Sequence, residues 1–174
     1  DERFAREIRI LASLRHPGIV RYLAHGMTGD DQGYLVMEWL EGEDLKRRLA
    51  RGPLSIAESI RLTQRIADAL GLAHAHGIVH RDIKPDNILI GAFGETVLID
   101  WGLAKDVAEV GEAAGPYRDL DQLPDGDLTM LGVGTPAYMP PEQALGNEPD
   151  PRVDVYALGA TLYHLLAGVP PYGE

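Results

Sequence analysis

Cysteine is absent from this chain of 174 residues. Neither a disulfide framework nor a thiolate zinc site can therefore form, and the six histidines are scattered rather than spaced as metal ligands. Basic residues are scarce as well, with 16 Lys and Arg against 27 Asp and Glu and a formal net charge of -11. Such a surface repels phosphate backbones and anionic lipid heads, so nucleic acid is excluded as a favoured partner. The lack of cysteine favours a reducing, cytoplasmic location.

Long hydrophobic runs are also missing. No apolar run reaches the roughly 18 residues that a membrane span needs, and the best one, 158–169, is interrupted by His164. The chain opens on Asp1 without a basic-then-apolar signal pattern. We therefore expect no membrane contact by this segment, and a parent chain cut at both ends that leaves membrane anchoring elsewhere open.

What is present is the composition of one globular domain, with 45% hydrophobic and 25% charged residues. A first helix is predicted ahead of Pro17 by apolar residues three to four positions apart. Two β-rich runs, 19–23 and 34–39, predict an antiparallel pair, and a polar tether follows at 41–44. The apolar positions of the helix are Phe4, Ile8, Leu11 and Leu14.

A second helix is predicted by a capping box at Ser55 and Glu58 and by the stop signal Gly77. Runs at 88–90 and 96–99 flank the turn 91–94 and predict a short β-hairpin. The expected apolar face of the helix is Ile56, Ile60, Ile66 and Leu70.

The Gly-, Pro- and acid-rich stretch 105–128 has no periodicity and is expected to be a mobile loop. Its acidic part, 106–127, is expected to be a solvated insertion, with recruitment of basic substrates as the alternative. A last helix is expected to begin near Val153, after a proline pair. Its expected apolar face is Val155, Leu158, Leu162 and Leu165.

Chemistry is concentrated in the run His80-Arg-Asp-Ile-Lys-Pro-Asp-Asn87 and in Asp100-Trp-Gly102 beyond the hairpin. Phosphoryl transfer needs a carboxylate to orient a hydroxyl, a cation for the transferring group, and hard oxygen ligands for Mg²⁺. These runs supply all of them, because the hairpin brings its two ends together. We therefore expect Asp82, Lys84, Asn87 and Asp100 to converge on one cleft.

These two runs resemble the catalytic loop and metal-binding motif of the eukaryotic-like protein kinase family. Residues 134–142 and 154–159 are similar to the segment that closes the activation loop and to the start of the central helix of the large lobe. The resemblance implies a two-lobed α+β fold. Residues 1–40 would form part of the small lobe, with helix C and two strands, and 41–174 the mostly helical large lobe, with the activation segment at about 100–142.

The resemblance also implies an activity, the transfer of the γ-phosphate of Mg-ATP to Ser and Thr hydroxyls of proteins. Asp82 would accept or orient the hydroxyl proton, and Lys84, which is typical of serine/threonine rather than tyrosine kinases, would stabilise the phosphate. Asn87 and Asp100 would hold Mg²⁺. ATP, Mg²⁺ and protein substrates are thus the implied ligands.

Further positions match the nucleotide site of the family. Glu7 matches the carboxylate that pairs with a phosphate-gripping lysine, which would lie before Asp1 together with the Gly-rich loop. We therefore expect the segment by itself to transfer little phosphate. The other implied contacts are Met37 as gatekeeper, Glu38 and Leu40 as hinge residues whose backbone reads adenine, Asp44 beside the ribose and Leu89 under the base.

Regulation is implied by a second group. Arg81 and Lys105 would form a basic pocket for a phosphorylated threonine, for which Thr129 is the candidate, and self-association for autophosphorylation would follow. Thr135 resembles the threonine that bridges the catalytic aspartate and lysine. Asp154 resembles the carboxylate that fixes the catalytic loop from below.

The sequence departs from the family pattern in places. Trp101 replaces the usual Phe and adds an indole N–H that needs a partner when buried. Pro141 precedes Glu142 where the family has Ala, and the arginine that pairs with this glutamate would lie beyond residue 174. His80 is expected to pack as a buried structural residue with Trp101, without a proton-transfer role.

Two alternatives stay open. One is a pseudokinase, which would bind partners on a kinase scaffold without transferring phosphate. The other is a phosphotransferase of related fold that acts on small molecules, which would lack the peptide-docking segment 134–142. The presence of that segment and of Asp82, Lys84, Asn87 and Asp100 favours the protein kinase.

Overall fold

A computed structural model describes residues 2–30, 32–106, 136–148 and 150–172. Short 3₁₀ turns occur at Pro85–Asn87 and Pro136–Tyr138. The helices are α1 (Glu2–Ser13), α2 (Leu45–Leu49), α3 (Ile56–Ala75), α4 (Pro141–Ala144) and α5 (Arg152–Ala167). The strands are β1 (Tyr22–Met27), β2 (Gly33–Met37), β3 (Gly42–Asp44), β4 (Ile78–Val79), β5 (Ile88–Gly91), β6 (Thr96–Leu98) and β7 (Lys105–Asp106). Helices beside small antiparallel sheets confirm the α+β class.

The strands form small antiparallel sheets, ordered β1-β2, β3-β5-β6 and β4-β7. The hairpin β5-β6 confirms the predicted one. The first strand lies later than predicted, because Ile19 forms an isolated parallel bridge with Leu98 instead of joining β1. The polar tether prediction was wrong for residues 42–44, which pair with β5 as strand β3. Lys105 and Asp106 of the predicted loop pair with β4, and the rest of that loop lies outside the described residues.

Helix α3 begins with the predicted capping box, in which the Ser55 hydroxyl accepts from the Glu58 N–H and the Glu58 carboxylate accepts from the Ser55 N–H. It ends at Ala75, two residues before the predicted stop signal Gly77, whose φ of 75° is the left-handed conformation that glycine favours. The predicted apolar face was wrong at Ile56 and Ile60, whose exposed fractions are 70% and 48%. Each residue turns a helix by about 100°, which puts Ile60 about 120° away from the buried Ile66. The buried residues are Ser59, Leu62, Ile66, Ala69, Leu70 and Ala73.

Helix α5 packs against α3. The face predicted from its leucines was wrong at Val155, which is 63% exposed. Leu165 is buried as expected, yet a charged residue, Asp154, is buried in the same helix. A buried carboxylate destabilises the folded protein unless it has hydrogen-bond partners, so Asp154 is expected to be held by specific contacts.

Within the described residues, no helix has both the length and the apolar character that crossing a bilayer requires.

Candidate active site

The loop of residues 80–87 connects β4 to β5 and carries the predicted polar cluster. It ends in the 3₁₀ turn, where the Asn87 N–H donates to the Lys84 carbonyl at 3.0 Å. The Ile99 N–H donates to the Asn87 carbonyl at 3.0 Å, next to the paired residues of the hairpin. Asp100 therefore follows directly on a residue bonded to Asn87, so that the hairpin brings the two predicted metal ligands to the same end.

Asp82 is held by two neighbours in the loop. The Asn87 side-chain amide donates to the Asp82 carbonyl and to its carboxylate oxygen Oδ2, both at 2.8 Å. The Lys84 ammonium lies 2.8 Å from the same Oδ2. Only 8% of Asp82 and 5% of Asn87 is exposed. Both donors therefore meet the same carboxylate oxygen, Oδ2.

The oxygens of Asn87 and Asp100 suit a hard cation. The Asp82 acceptors face the Asn87 nitrogen, so the amide oxygen points away from them. Asp100 is exposed, and its Oδ1 accepts from the Gly102 N–H at 3.2 Å. In the described part of the chain, no three His, Asp or Glu side chains gather as a metal cage.

Asp154 of α5 anchors the start of the loop. Its Oδ2 accepts from the His80 N–H at 2.9 Å and lies 2.8 Å from the His74 Nε2 of α3, and its Oδ1 accepts from the Arg81 N–H at 2.8 Å. Arg81 has a φ of 71°, an uncommon conformation for a residue other than glycine. The buried carboxylate therefore holds the strained residue that immediately precedes Asp82.

His80 packs against Trp101, as predicted. Both side chains are fully buried, and their ring centroids lie 4.6 Å apart. The His80 Nδ1 accepts from the Asp82 N–H at 3.3 Å. The Trp101 indole nitrogen has no hydrogen-bond partner among the described residues. His80 thus supports the loop from its apolar side.

The burial of the His80 imidazole predicts that the stability of the protein depends on pH. Burial lowers the pKa of His80 below its usual value, despite the neighbouring Asp154 carboxylate, and burial also lowers the pKa of His164. Below about pH 6.5, His80 binds a proton in the unfolded chain but stays neutral in the folded protein. The free energy of unfolding therefore falls as the pH falls.

We expect the urea-derived free energy of unfolding to decrease between about pH 7 and pH 5, with a shallower decrease in a His80→Leu variant. The His164 contribution remains in both proteins. The variant's lower absolute stability does not affect the comparison, because the slope against pH is what is measured. Identical slopes would contradict the assignment.

The predicted hinge residues follow β2. Met37 is 40% exposed, and Leu40 is partly buried against the core. The Glu38 N–H donates to the Arg21 carbonyl at 2.9 Å, and its carboxylate accepts from the Arg21 N–H at 2.7 Å. The backbone N–H of Glu38 is therefore engaged within the protein.

Asp44 and Leu89 are brought together, because they are register partners in the β3-β5 ladder. Leu89 also lies two residues after Asn87, so this pair adjoins the catalytic loop. The Asp44 carboxylate caps α2 by accepting from the Arg47 N–H at 2.8 Å and lies 3.2 Å from the Arg47 Nε. The sequence reasoning missed this capping role.

The predicted regulatory residues are only partly described. Lys105 pairs with Val79 in the β4-β7 ladder, which places it close in the fold to Arg81, two residues further along. Glu7 lies in α1, but its side chain is outside what the structure describes. Thr129 and Thr135 both lie outside the described residues.

Sequence reasoning also missed His74 and Gln143. The Gln143 side chain of α4 donates to the Arg81 carbonyl at 2.9 Å, and His74 contacts Asp154. Both contacts join residues at least 62 positions apart. Neither residue has a local pattern that distinguishes it from an ordinary helical polar residue, so no sequence signal could have found them.

The chain has relatives among known proteins. Residues 1–174 match the protein kinase domain family along their whole length. The chain belongs to this family. The partial kinase fold expected from the catalytic-loop motif is therefore confirmed, and the α+β arrangement described above is that of a protein kinase domain.

Bacterial relatives of this kinase domain support the assignment. It is 39% identical over 176 aligned positions to the serine/threonine-protein kinase pkn2 of Myxococcus xanthus, covering 98% of this chain and 20% of that protein. It is 40% identical to PknA of Mycobacterium tuberculosis, covering 98% and 38%. For PknB of Mycolicibacterium smegmatis the identity is 36%, covering 98% and 26%. The chain thus spans between a fifth and two fifths of these relatives.

Proposed function

We propose that this kinase domain serves to transfer the γ-phosphate of Mg-ATP to Ser and Thr hydroxyls of proteins. The observation that carries the proposal is the Asp82 carboxylate, held at 2.8 Å by both the Lys84 ammonium and the Asn87 amide in a nearly buried loop. Relatives named as serine/threonine-protein kinases, at 36–40% identity, support the same residue specificity.

Each loop residue has a distinct task in the proposed reaction. Asp82 orients the substrate hydroxyl through Oδ1 and takes up its proton as the hydroxyl oxygen bonds to the γ-phosphorus, while the bond from that phosphorus to the β–γ bridging oxygen breaks and ADP leaves. Lys84 uses one of its three N–H donors on Asp82, so the others are left to hold the transferring phosphate. Asn87 and Asp100 would hold Mg²⁺, which supplies positive charge to the phosphate oxygens.

Nucleotide recognition is proposed for the residues between β2 and β5. The Glu38 carbonyl and the Leu40 backbone would read adenine beside Met37, Leu89 would pack beneath the base, and Asp44 would meet the ribose. Their support is the β3-β5 pairing, which places Asp44 opposite Leu89 next to the catalytic loop. Glu7 of α1 would align the lysine that grips the phosphates.

The proposal includes the division of the chain and its regulation. Residues 1–40 would belong to the small lobe and 41–174 to the large lobe. Arg81 and Lys105 would bind phosphorylated Thr129, and Thr135 would bridge the catalytic aspartate and lysine. The proximity of Arg81 to Lys105 through the β4-β7 ladder supports the phosphate pocket. A cytoplasmic location and self-association for autophosphorylation complete the proposal.

The test is transfer of label from γ-³²P-ATP by the full-length protein to itself and to a general protein substrate. We expect label on Ser and Thr in the presence of Mg²⁺ and none after chelation with EDTA, since ATP would then lack the cation that neutralises its phosphate oxygens. Label on tyrosine would contradict the proposed specificity. Nucleotide binding without transfer would instead establish the scaffold alternative.

A further inference from the structure

Gln143 connects two segments that are distant in sequence. It lies in α4 (Pro141–Ala144) and is partly buried, and its side-chain Nε2 donates to the Arg81 carbonyl at 2.9 Å. A carbonyl oxygen can only accept, so the amide nitrogen must face the loop. The contact is therefore a directed hydrogen bond from α4 to the residue before Asp82.

The peptide between Arg81 and Asp82 is held at both of its polar atoms. Its oxygen accepts from Gln143, and its N–H donates to the His80 Nδ1 at 3.3 Å. The preceding peptide is held through the Arg81 N–H, which donates to Asp154 at 2.8 Å. Arg81 has a φ of 71°. Such a conformation persists when surrounding contacts over-determine it.

Helix α4 is positioned by the same long helix that supports the loop. Tyr138, in the 3₁₀ turn before α4, forms a 2.6 Å hydrogen bond between its hydroxyl and the His164 Nδ1 of α5. Asp154 belongs to α5 as well. Helix α5 therefore contacts the catalytic loop directly through Asp154, and it contacts the turn that leads into α4 through His164.

We propose that Gln143 is a positioning residue whose amide fixes the Arg81–Asp82 peptide and so aims the Asp82 carboxylate. Rotation of that peptide would change the direction in which the Asp82 side chain leaves the backbone. Gln143 does this without touching substrate. Its kinetic consequence rests on the proposed phosphotransfer, whereas its structural consequence does not.

The kinetic test compares Gln143→Met, which keeps the shape of the side chain without a donor, with Gln143→Lys, which restores an N–H donor. Gln64→Met is the matched control, because Gln64 is an exposed glutamine in α3. In the full-length protein we expect Gln143→Met to lower kcat roughly tenfold, with the KM for ATP changed by less than about twofold. Gln143→Lys should recover most of the loss, and the control should match wild type.

A wild-type kcat for Gln143→Met would overturn the proposal. So would a loss of kcat that Gln143→Lys leaves uncorrected, because the donor would then not be the feature that matters. A fall in kcat shared equally by Gln64→Met would also count against it.

Amide hydrogen exchange tests the positioning without requiring activity. We expect the Arg81 and Asp82 amides to exchange roughly fivefold faster or more in Gln143→Met than in wild type or Gln64→Met. Unchanged exchange would overturn the proposal. If the wild-type protein transferred no phosphate, the proposed function would fail, and the exchange result would still decide the role of Gln143.

Discussion

Phosphate transfer by the full-length protein is expected to fall by about 10²- to 10⁴-fold when Asp82 is replaced by asparagine. The amide has the shape of the carboxylate but cannot take up a proton. The introduced amide would also lie between two hydrogen-bond donors, because the Asn87 amide and the Lys84 ammonium both lie 2.8 Å from the Asp82 Oδ2. Asparagine would thus remove the proposed base and weaken the contacts that orient the side chain.

Steady-state kinetics with Mg-ATP and a protein substrate measure this effect. Asp86→Asn is the matched control, because Asp86 lies in the same loop but is 39% exposed and pairs at 2.7 Å with Lys46. We expect its kcat to stay within about threefold of wild type, as the loss of an exposed ion pair has little effect. Equal kcat values for Asp82→Asn and wild type would refute the assignment of the base.

The second large effect is expected on stability, from Asp154→Asn. Asp154 is fully buried, and its oxygens accept hydrogen bonds from the His80 and Arg81 amides beside the contact with His74. Asparagine would turn an NH₂ group toward one of these donors and leave it unpaired. We expect the free energy of unfolding to decrease by about 3 kcal/mol.

Urea denaturation followed by circular dichroism gives this difference directly. The control is Asp150→Asn, since the Asp150 side chain is 47% exposed and its partner Arg152 is a surface residue. Its expected loss is below about 1 kcal/mol, because exposed ion pairs contribute little. An equal decrease in the free energy of unfolding for the two variants would contradict the role of the Asp154 carboxylate in holding the loop 80–87.

Some features of the fold and of the candidate site could be predicted from local sequence. The capping box at Ser55 and the turn at Gly77 bound α3 as predicted, because capping depends on neighbouring residues. The hairpin β5-β6 could also be predicted, since a Gly-containing turn joins two β-rich runs. Asp82 and Lys84 were expected to share one cleft, since they are two residues apart on an extended loop, and the Lys84 ammonium lies 2.8 Å from the Asp82 Oδ2.

Other features depend on partners that are distant in the chain. Ile60 is apolar, yet it is exposed, because only the packing of α5 and β6 decides which side of α3 is covered. Residues 42–44 are polar and extended, and they became a strand because β5 offers an edge to pair with. The amino-acid composition of residues 42–44 does not indicate that a strand edge lies beside them.

The sequence by itself determined the family and the existence of most elements, and it carries the proposed chemistry of the loop 80–87, since all of these reside in short runs of neighbouring residues. The family resemblance already implied Asp154 as a support of that loop, whereas only the tertiary structure revealed Gln143 and His74. Gln143 bonds the loop from 62 residues away and His74 contacts Asp154 from 80 residues away, because such hydrogen bonds depend on how whole helices pack.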